Sequence, residues 1–193
     1  MCRKSDVNDQ GEQDMQIRLA VPGDLPAMRE IYRPYVEETT ITFEYETPSE
    51  EEFAARFAAV TAWFPWFVAE ENGQVLGYAY AARAFERAAY QWDADVSIYL
   101  SPAAQGRGIG RALYQALEKE LYTMGYCTLY ALITAENAAS CAFHRAMGYT
   151  LCATLPASGF KHGRWLDVYW FEKSLREKPV QPQPVSRFCR PEG

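Results

Sequence analysis

The sequence has few of the residues that bind metals, form disulfides or cross membranes. Its two histidines and five cysteines are scattered, with no C-x-x-C pair and no metal-ligand spacing. No apolar run approaches the length of a membrane span, and the polar N-terminus lacks the apolar segment of a signal peptide. These absences predict a cytoplasmic protein with reduced thiols, no metal and no membrane partner.

Basic residues are also scarce. Lys and Arg total 19 against 25 Asp and Glu, which gives a formal net charge of −6, and the basic residues form no block. A nucleic-acid partner is therefore not expected, since such binding depends on clustered positive charge. An anionic cofactor stays possible, because the backbone N–H groups of a loop can hold phosphate without positive side chains.

The chain does contain apolar residues at both strand and helix spacing. Alternation at residues 17–21, helical spacing at 25–35 and the hairpin signal Asn72-Gly73 are examples. Together these patterns predict one α+β domain over residues 16–176, with a mixed, mostly antiparallel central sheet. The polar residues 1–15 predict a disordered leader, and the proline-rich residues 177–193 predict a flexible tail.

A glycine-rich loop, residues 105–110, lies between a predicted strand ending at Leu100 and a predicted helix with an apolar stripe. Glycines permit positive φ and close approach of a ligand to the backbone, and a helix N-terminus favours an anion. The loop therefore predicts a pyrophosphate site, with a ligand-free turn as the alternative. A dinucleotide fingerprint fails because its last glycine position is Arg111, and the absence of G-K-[ST] excludes a P-loop.

The loop also matches the motif Q-x-x-G-x-G at Gln105, Gly108 and Gly110, and through it the chain resembles the GNAT superfamily of N-acetyltransferases. Further similarity is to the phosphinothricin and methionine sulfoximine acetyltransferase branch, over about residues 16–175. It rests on residues 39–44, 89–92, 98–100, 113–114, 137, 144, 148–149 and, most specifically, 159–168. The resemblance implies the GNAT fold, with about four helices flanking the sheet.

The resemblance implies acetyl-CoA as the co-substrate. The backbone of the strand before the loop would pair with the pantetheine arm, and the N–H groups of the loop would bind the pyrophosphate. Asn137 would bond the pantetheine or a bridging water, a role compatible with capping the helix that follows. The implied cofactor-binding residues are Ile98, Tyr99, Leu100, Gln105, Gly106, Arg107, Gly108, Ile109, Gly110 and Asn137.

The implied reaction is direct attack of an amine on the thioester through a tetrahedral intermediate, which requires a base. The branch uses a glutamate, but this sequence has Asp95 at the matching position. With an ordinary pKa of about 3.9, an aspartate is a weak base unless burial raises that pKa, and Asp95 could instead be a solvated strand-end carboxylate. His144 is the alternative base, and Tyr114 could protonate the leaving thiolate.

The resemblance also implies a homodimer and an acceptor pocket formed by Phe43, Arg87, Tyr90, Lys161 and His162. The expected acceptor is the α-amine of a small amino-acid analogue such as phosphinothricin, methionine sulfoximine or methionine sulfone. Two alternatives stay open. The enzyme could acetylate another amine, such as a polyamine or a protein N-terminus, or the domain could bind acetyl-CoA as a non-catalytic sensor.

Overall fold

The computed structural model describes residues 15–190. The predicted leader therefore lies outside the described residues, apart from Met15, and so do residues 191–193. Within residues 15–190 the chain forms seven strands and four α-helices, joined by loops and three short 3-10 turns. In chain order these are β1 Met15–Leu19, α1 Leu25–Glu37, α2 Glu50–Thr61, β2 Trp66–Glu71, β3 Gln74–Arg83, β4 Asp93–Leu100, α3 Ile109–Met124, β5 Thr128–Thr134, α4 Ala138–Ala146, β6 Thr150–Lys161 and β7 Arg164–Ser174.

Local sequence signals account for several of these boundaries. Helix α2 begins with a capping box, in which the Ser49 hydroxyl accepts from the Glu52 backbone N–H and the Glu52 carboxylate accepts from the Ser49 N–H. Asn72 and Gly73 both have positive φ in the β2–β3 turn, and Gly125 ends α3 at a φ of 102°. These observations confirm the predicted hairpin, and Gly125 ends α3 as glycine commonly ends helices.

The strands form one sheet in the order β1-β2-β3-β4-β5-β7-β6, and every neighbouring pair is antiparallel except β4 and β5. The parallel pairing is short, because it joins only residues 93–95 to residues 128–130. Strand β4 continues to Leu100 and stays paired with β3 throughout. A gap therefore opens between β4 and β5 beyond Asp95. The α+β class and the mixed, mostly antiparallel sheet are confirmed.

Two hydrophobic clusters attach the helices to the two faces of the sheet. Buried residues of α3 recur every three or four positions and pack, with Cys141 of α4, against one face. On the other face, α1 and α2 contribute Met28, Tyr32 and Phe53 to a cluster that contains Trp66 and Tyr78. The sheet thus lies between two helical layers, and the gap between β4 and β5 lies between the same two layers.

The tail after β7 runs extended along the domain. The Trp92 indole N–H donates to the Gln183 carbonyl over 2.8 Å, and the Phe188 N–H donates to the Trp63 carbonyl over 2.9 Å. Val185 and Phe188 are half-buried and pack against the cluster that contains α3. The flexibility predicted for residues 177–193 did not anticipate these contacts, which join residues 183–188 to the domain.

Candidate functional site

The gap between β4 and β5 is the meeting point of two cavities, each of about 420 Å³. The first, here called the α3 groove, is lined by Tyr35, Ile98, Leu100, Gln105, Gly106 and Asn137, among others. The second, here called the Asp95 cavity, is lined by residues that include Phe43, Asp95, Ser97, Leu132, Thr134 and Leu155. A third cavity of about 60 Å³ is lined by residues of β4 and β5 and shares lining residues with both, and the three together are here called the passage.

The glycine-rich loop leaves the N-terminus of α3 open to a ligand. Gly108 is the N-cap residue, with a φ of 77° and no side chain to accept from the first-turn N–H groups. A Cβ atom at Gly106 or Gly108 would have no heavy atom within 4 Å, so the space beside the backbone is free. The Arg107 guanidinium instead binds the Glu71 carboxylate over 2.6 Å. Unpaired N–H groups and the helix dipole make this an anion site.

Gly110 serves packing instead. A Cβ atom there would lie 3.3 Å from the Phe143 ring and 3.4 Å from the side chains of Ile98 and Leu100. The missing side chain therefore lets α3 approach β4 and α4 closely, which brings its N-terminus to the groove.

The Tyr35 side chain is hydrogen-bonded to the backbone of β4 inside the α3 groove. Its hydroxyl donates to the Leu100 carbonyl over 2.6 Å and lies 3.3 Å from the Leu100 N–H, from which it accepts. The Ser101 N–H bonds to β3, so the groups of Leu100 point the other way, into the gap. Sequence reasoning missed this contact, because Tyr35 fits the apolar stripe of α1 like any core residue.

Asp95 lies at the last position where β4 pairs with β5, and it lines the Asp95 cavity. The residue is half-buried, but its Oδ1 atom is fully buried and has no hydrogen-bond partner within residues 15–190. Burial raises the pKa of this carboxyl to about 7, against a smaller lowering by the Val96 N–H. The Oγ1 atom of Thr134, which lines the same cavity, also lacks a partner among the described residues. Two residues that line this cavity thus each have a buried polar atom whose hydrogen-bonding capacity is unused within residues 15–190.

His144 and Tyr114 bond to each other beneath the passage. The Nδ1 atom of His144 lies 2.8 Å from the Ser140 carbonyl, so Nδ1 carries the proton of the neutral ring. The Tyr114 hydroxyl, 2.9 Å from Nε2, then donates to that nitrogen. Burial lowers the pKa of His144 and raises that of Tyr114 well above its usual value. The two groups form a neutral pair in which the basic nitrogen is already occupied.

Asn137 has the capping role that the sequence allowed. Its side-chain oxygen accepts from the Ser140 N–H over 3.1 Å at the start of α4. The residue also lines the α3 groove and the small third cavity, so the N-cap of α4 lies next to both cavities.

Of the predicted acceptor residues, only Phe43 lines the Asp95 cavity. Arg87 and Tyr90 are exposed at a 3-10 turn after β3, where the Tyr90 ring packs on Phe85. Strand β3 ends at Arg83, and the turn carries both residues away from every cavity described above. Their role in an acceptor pocket, which the resemblance places across a homodimer interface, stays a prediction.

Lys161 and His162 also lie elsewhere than predicted. Lys161 is 2% exposed, and its ammonium donates to the backbone carbonyls of Val36 and Thr42, each over 2.7 Å. Burial lowers the pKa of this ammonium. His162 is exposed in the β6–β7 turn, 3.3 Å from the Thr39 carbonyl, and lines an open cavity that shares Ile41 and Asn137 with the α3 groove. Both side chains hold the loop between α1 and α2 and do not enter the Asp95 cavity.

Two other features, a membrane-spanning helix and a metal site, are not found among the described residues. No helix among residues 15–190 is long and apolar enough to cross a membrane. The same residues contain no group of three or more His, Cys, Asp and Glu side chains placed to hold a metal ion.

Comparison with known proteins agrees with the fold and the loop. The Acetyltransferase (GNAT) domain family matches residues 17–170. The phosphinothricin N-acetyltransferase of Streptomyces viridochromogenes is 36% identical over 171 residues, which cover 89% of this chain and 93% of the relative. The L-methionine sulfoximine/L-methionine sulfone acetyltransferase of Salmonella typhimurium is 36% identical, covering 84% of this chain and 96% of that protein.

A solved structure shows the same arrangement. The phosphinothricin acetyltransferase of Sinorhizobium meliloti, determined in complex with acetyl-CoA, superposes with a TM-score of 0.83 at 41% identity. The match covers 89% of this chain and 93% of that one. On the family match, the extent of these similarities and the open N-terminus of α3, the chain belongs to the GNAT family of acetyltransferases.

Proposed function

We propose that this protein transfers the acetyl group of acetyl-CoA to the α-amine of a small amino-acid analogue of the phosphinothricin, methionine sulfoximine or methionine sulfone type. The observation that carries the proposal is Asp95, a carboxylate with a pKa of about 7 and an oxygen that has no hydrogen-bond partner within residues 15–190, in the lining of the Asp95 cavity. A base of that pKa is half ionised at neutral pH, which suits proton transfer from an ammonium.

Acetyl-CoA supplies a thioester whose carbonyl an uncharged amine attacks. The α3 groove fits it, since the N-terminus of α3 is open and the loop over residues 105–110 presents backbone to its pyrophosphate. The backbone of Ile98, Tyr99 and Leu100 would hold the pantetheine arm at the gap. The Asn137 oxygen caps α4, which leaves its amide nitrogen for that arm.

Asp95 ranks ahead of His144 as the base. Asp95 lines the cavity and its Oδ1 atom has no hydrogen-bond partner within residues 15–190, whereas the only basic nitrogen of neutral His144 accepts from Tyr114. Tyr114 is correspondingly a weak candidate for protonating the thiolate, because its proton is directed to His144 and burial raises its pKa. Asp95 takes the proton from the ammonium directly or through water, and the thiolate then takes one from solvent.

The measurement that tests the proposal is thiol release from acetyl-CoA with a panel of amines. We expect saturable release with phosphinothricin, methionine sulfoximine or methionine sulfone, and little with ordinary amino acids. Preference for spermidine or a short peptide would replace the acceptor class and keep the chemistry. Binding of acetyl-CoA by calorimetry without release for any amine would favour a sensor.

We also propose a homodimer, as the resemblance implies. Leu132 and Leu155 are 48% and 40% exposed at the rim of the Asp95 cavity, and β6 is a 12-residue edge strand. A long edge and exposed apolar side chains favour association. We expect sedimentation equilibrium to give twice the chain mass and Leu155→Asp to lower it. A monomeric wild type would contradict the proposal.

The cytoplasmic location and the absence of a nucleic-acid partner stay predictions from the sequence.

A further inference from the structure

The wall of the Asp95 cavity opposite the sheet is a loop, residues 38–48, that joins α1 to α2. The loop has no helix or strand of its own, yet it places Ile41, Thr42 and Phe43 in the cavity lining. Because the loop lacks backbone pairing to a neighbouring strand, its position depends on whatever else fastens it.

The fastening comes from the turn segment, here defined as residues 159–164 at the end of β6 and the start of β7. The buried Lys161 ammonium bonds the carbonyls of Val36 and Thr42. The Tyr45 hydroxyl donates to the Phe160 carbonyl over 2.6 Å. These bonds hold the loop on both sides of Phe43, so the ring of Phe43 can settle only where the turn segment leaves room.

Gly159 provides that room. A Cβ atom at Gly159 would lie 2.8 Å from the Phe43 Cδ2 atom and would overlap its Cε2 and Cζ atoms. The backbone of Gly159 does not require glycine, since its φ lies outside the left-handed region, unlike that of Gly163 at 76°. The missing side chain at position 159 therefore serves the Phe43 ring and not the turn.

We propose that Gly159 is a specificity-determining residue of the acceptor site, which it shapes by seating the Phe43 ring. This inference rests on the proposed acetyl transfer. With a larger residue at position 159, the ring must leave its place beside β6, while the bonds of Lys161 and Tyr45 keep the loop that carries it in position. The ring then moves into the Asp95 cavity and takes volume from the acceptor, while the α3 groove is unaffected.

The test is a double-mutant cycle on positions 159 and 43. Gly159→Ala should lower kcat/KM for the best acceptor by about 10–200-fold, the range for a misplaced methylene in an apolar pocket. The loss should lie mainly in KM and be greatest for the bulkiest acceptor, with the acetyl-CoA Kd unchanged. In the Phe43→Ala background the same substitution should change kcat/KM less than threefold.

Gly163→Ala is the matched control, because it strains the same turn without contacting Phe43. It should lower the Tm but leave the acceptor KM within threefold. An undiminished effect of Gly159→Ala in the Phe43→Ala background, or an equal weakening of acetyl-CoA binding, would overturn the inference. If Gly159→Ala does not fold, Phe43→Trp tests the same contact from the other side and should raise the acceptor KM in the same order of acceptor size.

A failure of the proposed function is distinguishable from a failure of this inference. It would show as a wild-type protein that turns over no amine in the panel. In that case the crystal structure of Gly159→Ala decides, since the inference requires the Phe43 ring to be displaced towards Asp95. A ring that keeps its wild-type position beside residue 159 would contradict it.

Discussion

The carboxyl of Asp95 owes its raised pKa to position rather than to a charged partner. Desolvation is the largest cause, and only the Val96 N–H opposes it. Asp95→Asn keeps the shape and removes the proton acceptor, so we expect kcat to fall by about 10²–10⁴-fold. The wild-type rate should decline as the pH falls below 7, and the variant should lose that limb. Asp93→Asn, in the same strand but outside the cavity, should leave kcat within twofold.

The same substitution should stabilise the fold. Because the folded pKa of Asp95 lies above its unfolded value of about 3.9, ionisation reduces stability progressively from pH 4 to pH 7. Asp95→Asn removes that cost, so its Tm should exceed that of the wild type at pH 8, by about 2–4 °C for each kcal/mol recovered. The difference should vanish near pH 4. Undiminished kcat would exclude Asp95 as the base and favour His144, and an unchanged Tm would mean that the Asp95 carboxyl is solvated.

Tyr35 gives a second prediction for a single residue. Its hydroxyl holds both backbone groups of Leu100 that face the gap, which are the groups that a pantetheine arm would use. Tyr35→Phe removes this internal competitor. We expect the acetyl-CoA Kd to fall by about two- to tenfold, which is the effect of one hydrogen bond.

Tyr32→Phe is the matched control for that substitution. Tyr32 is also on α1 and also packs on Tyr99, but its hydroxyl bonds Thr42 outside the groove. Calorimetry should show the wild-type Kd for this variant. Weaker binding in Tyr35→Phe would mean that the hydroxyl helps to hold the ligand rather than competing with it.

For single residues, the sequence predicted chemical roles better than it predicted positions in the fold. Asp95 and Phe43 were predicted from matched positions, and both line the expected cavity. Lys161 was assigned to the acceptor, but its nearest partner is Val36, 125 positions away. Nothing local to a turn indicates which distant carbonyl its lysine will reach. The position of the Lys161 ammonium therefore depends on long-range assembly, and its role toward the acceptor stays a prediction.

Among the elements, α3 carries the most specific prediction. Gly108→Val adds a β-branched side chain where φ is 77° and where the N–H groups of the helix must meet phosphate. We expect the acetyl-CoA Kd to rise at least tenfold by calorimetry. The backbone strain alone should cost about 1–2 kcal/mol of stability.

Gly73→Val separates that strain from the loss of the ligand. Gly73 has the same φ of 77° and the same open surroundings, but it lies at the β2–β3 turn and lines none of the cavities. It should lower the Tm similarly and leave the Kd unchanged. Equal Kd values for Gly108→Val and the wild type would remove the pyrophosphate from the N-terminus of α3.

Elements with local signals were predictable, and those defined by distant partners were less so. The Ser49 capping box and the Asn72-Gly73 turn act within a few residues, and the structure has both. The sequence predicted the class of the sheet without the full length of its edge strand, since β6 extends to Lys161. Its last residues pair with the start of β7. Their extended conformation therefore depends on that pairing and is not indicated by their local sequence.

In the whole molecule, the cofactor side and the acceptor side of the site are set by the position at which β4 and β5 separate. The α3 groove and the Asp95 cavity draw their walls from different layers, and they meet only because the parallel pairing ends at Asp95. One strand thus holds the cofactor side with its backbone and the acceptor side with a carboxylate. The sequence motif marked the groove, but the passage between the cavities depends on the register of the sheet.

The tail tests whether the domain is complete at residue 176. Deleting residues 179–193 removes the half-buried Val185 and Phe188 and the bond from Trp92. We expect a loss of roughly 2 kcal/mol, since full burial of such side chains contributes about 1.5–3 kcal/mol each. By calorimetry the Tm should fall by about 4–8 °C.

Activity should survive that deletion. The tail contacts Met124 and Gly125 at the C-terminal end of α3, whereas the ligand site is at its N-terminal end. A helix of 16 residues separates the two ends by roughly 24 Å. The double variant Val185→Ser, Phe188→Ser in the full chain should reproduce the loss in Tm. An unchanged Tm would show that the tail is free in solution, and a fall in kcat at 25 °C would connect it to the β4 strand through Trp92.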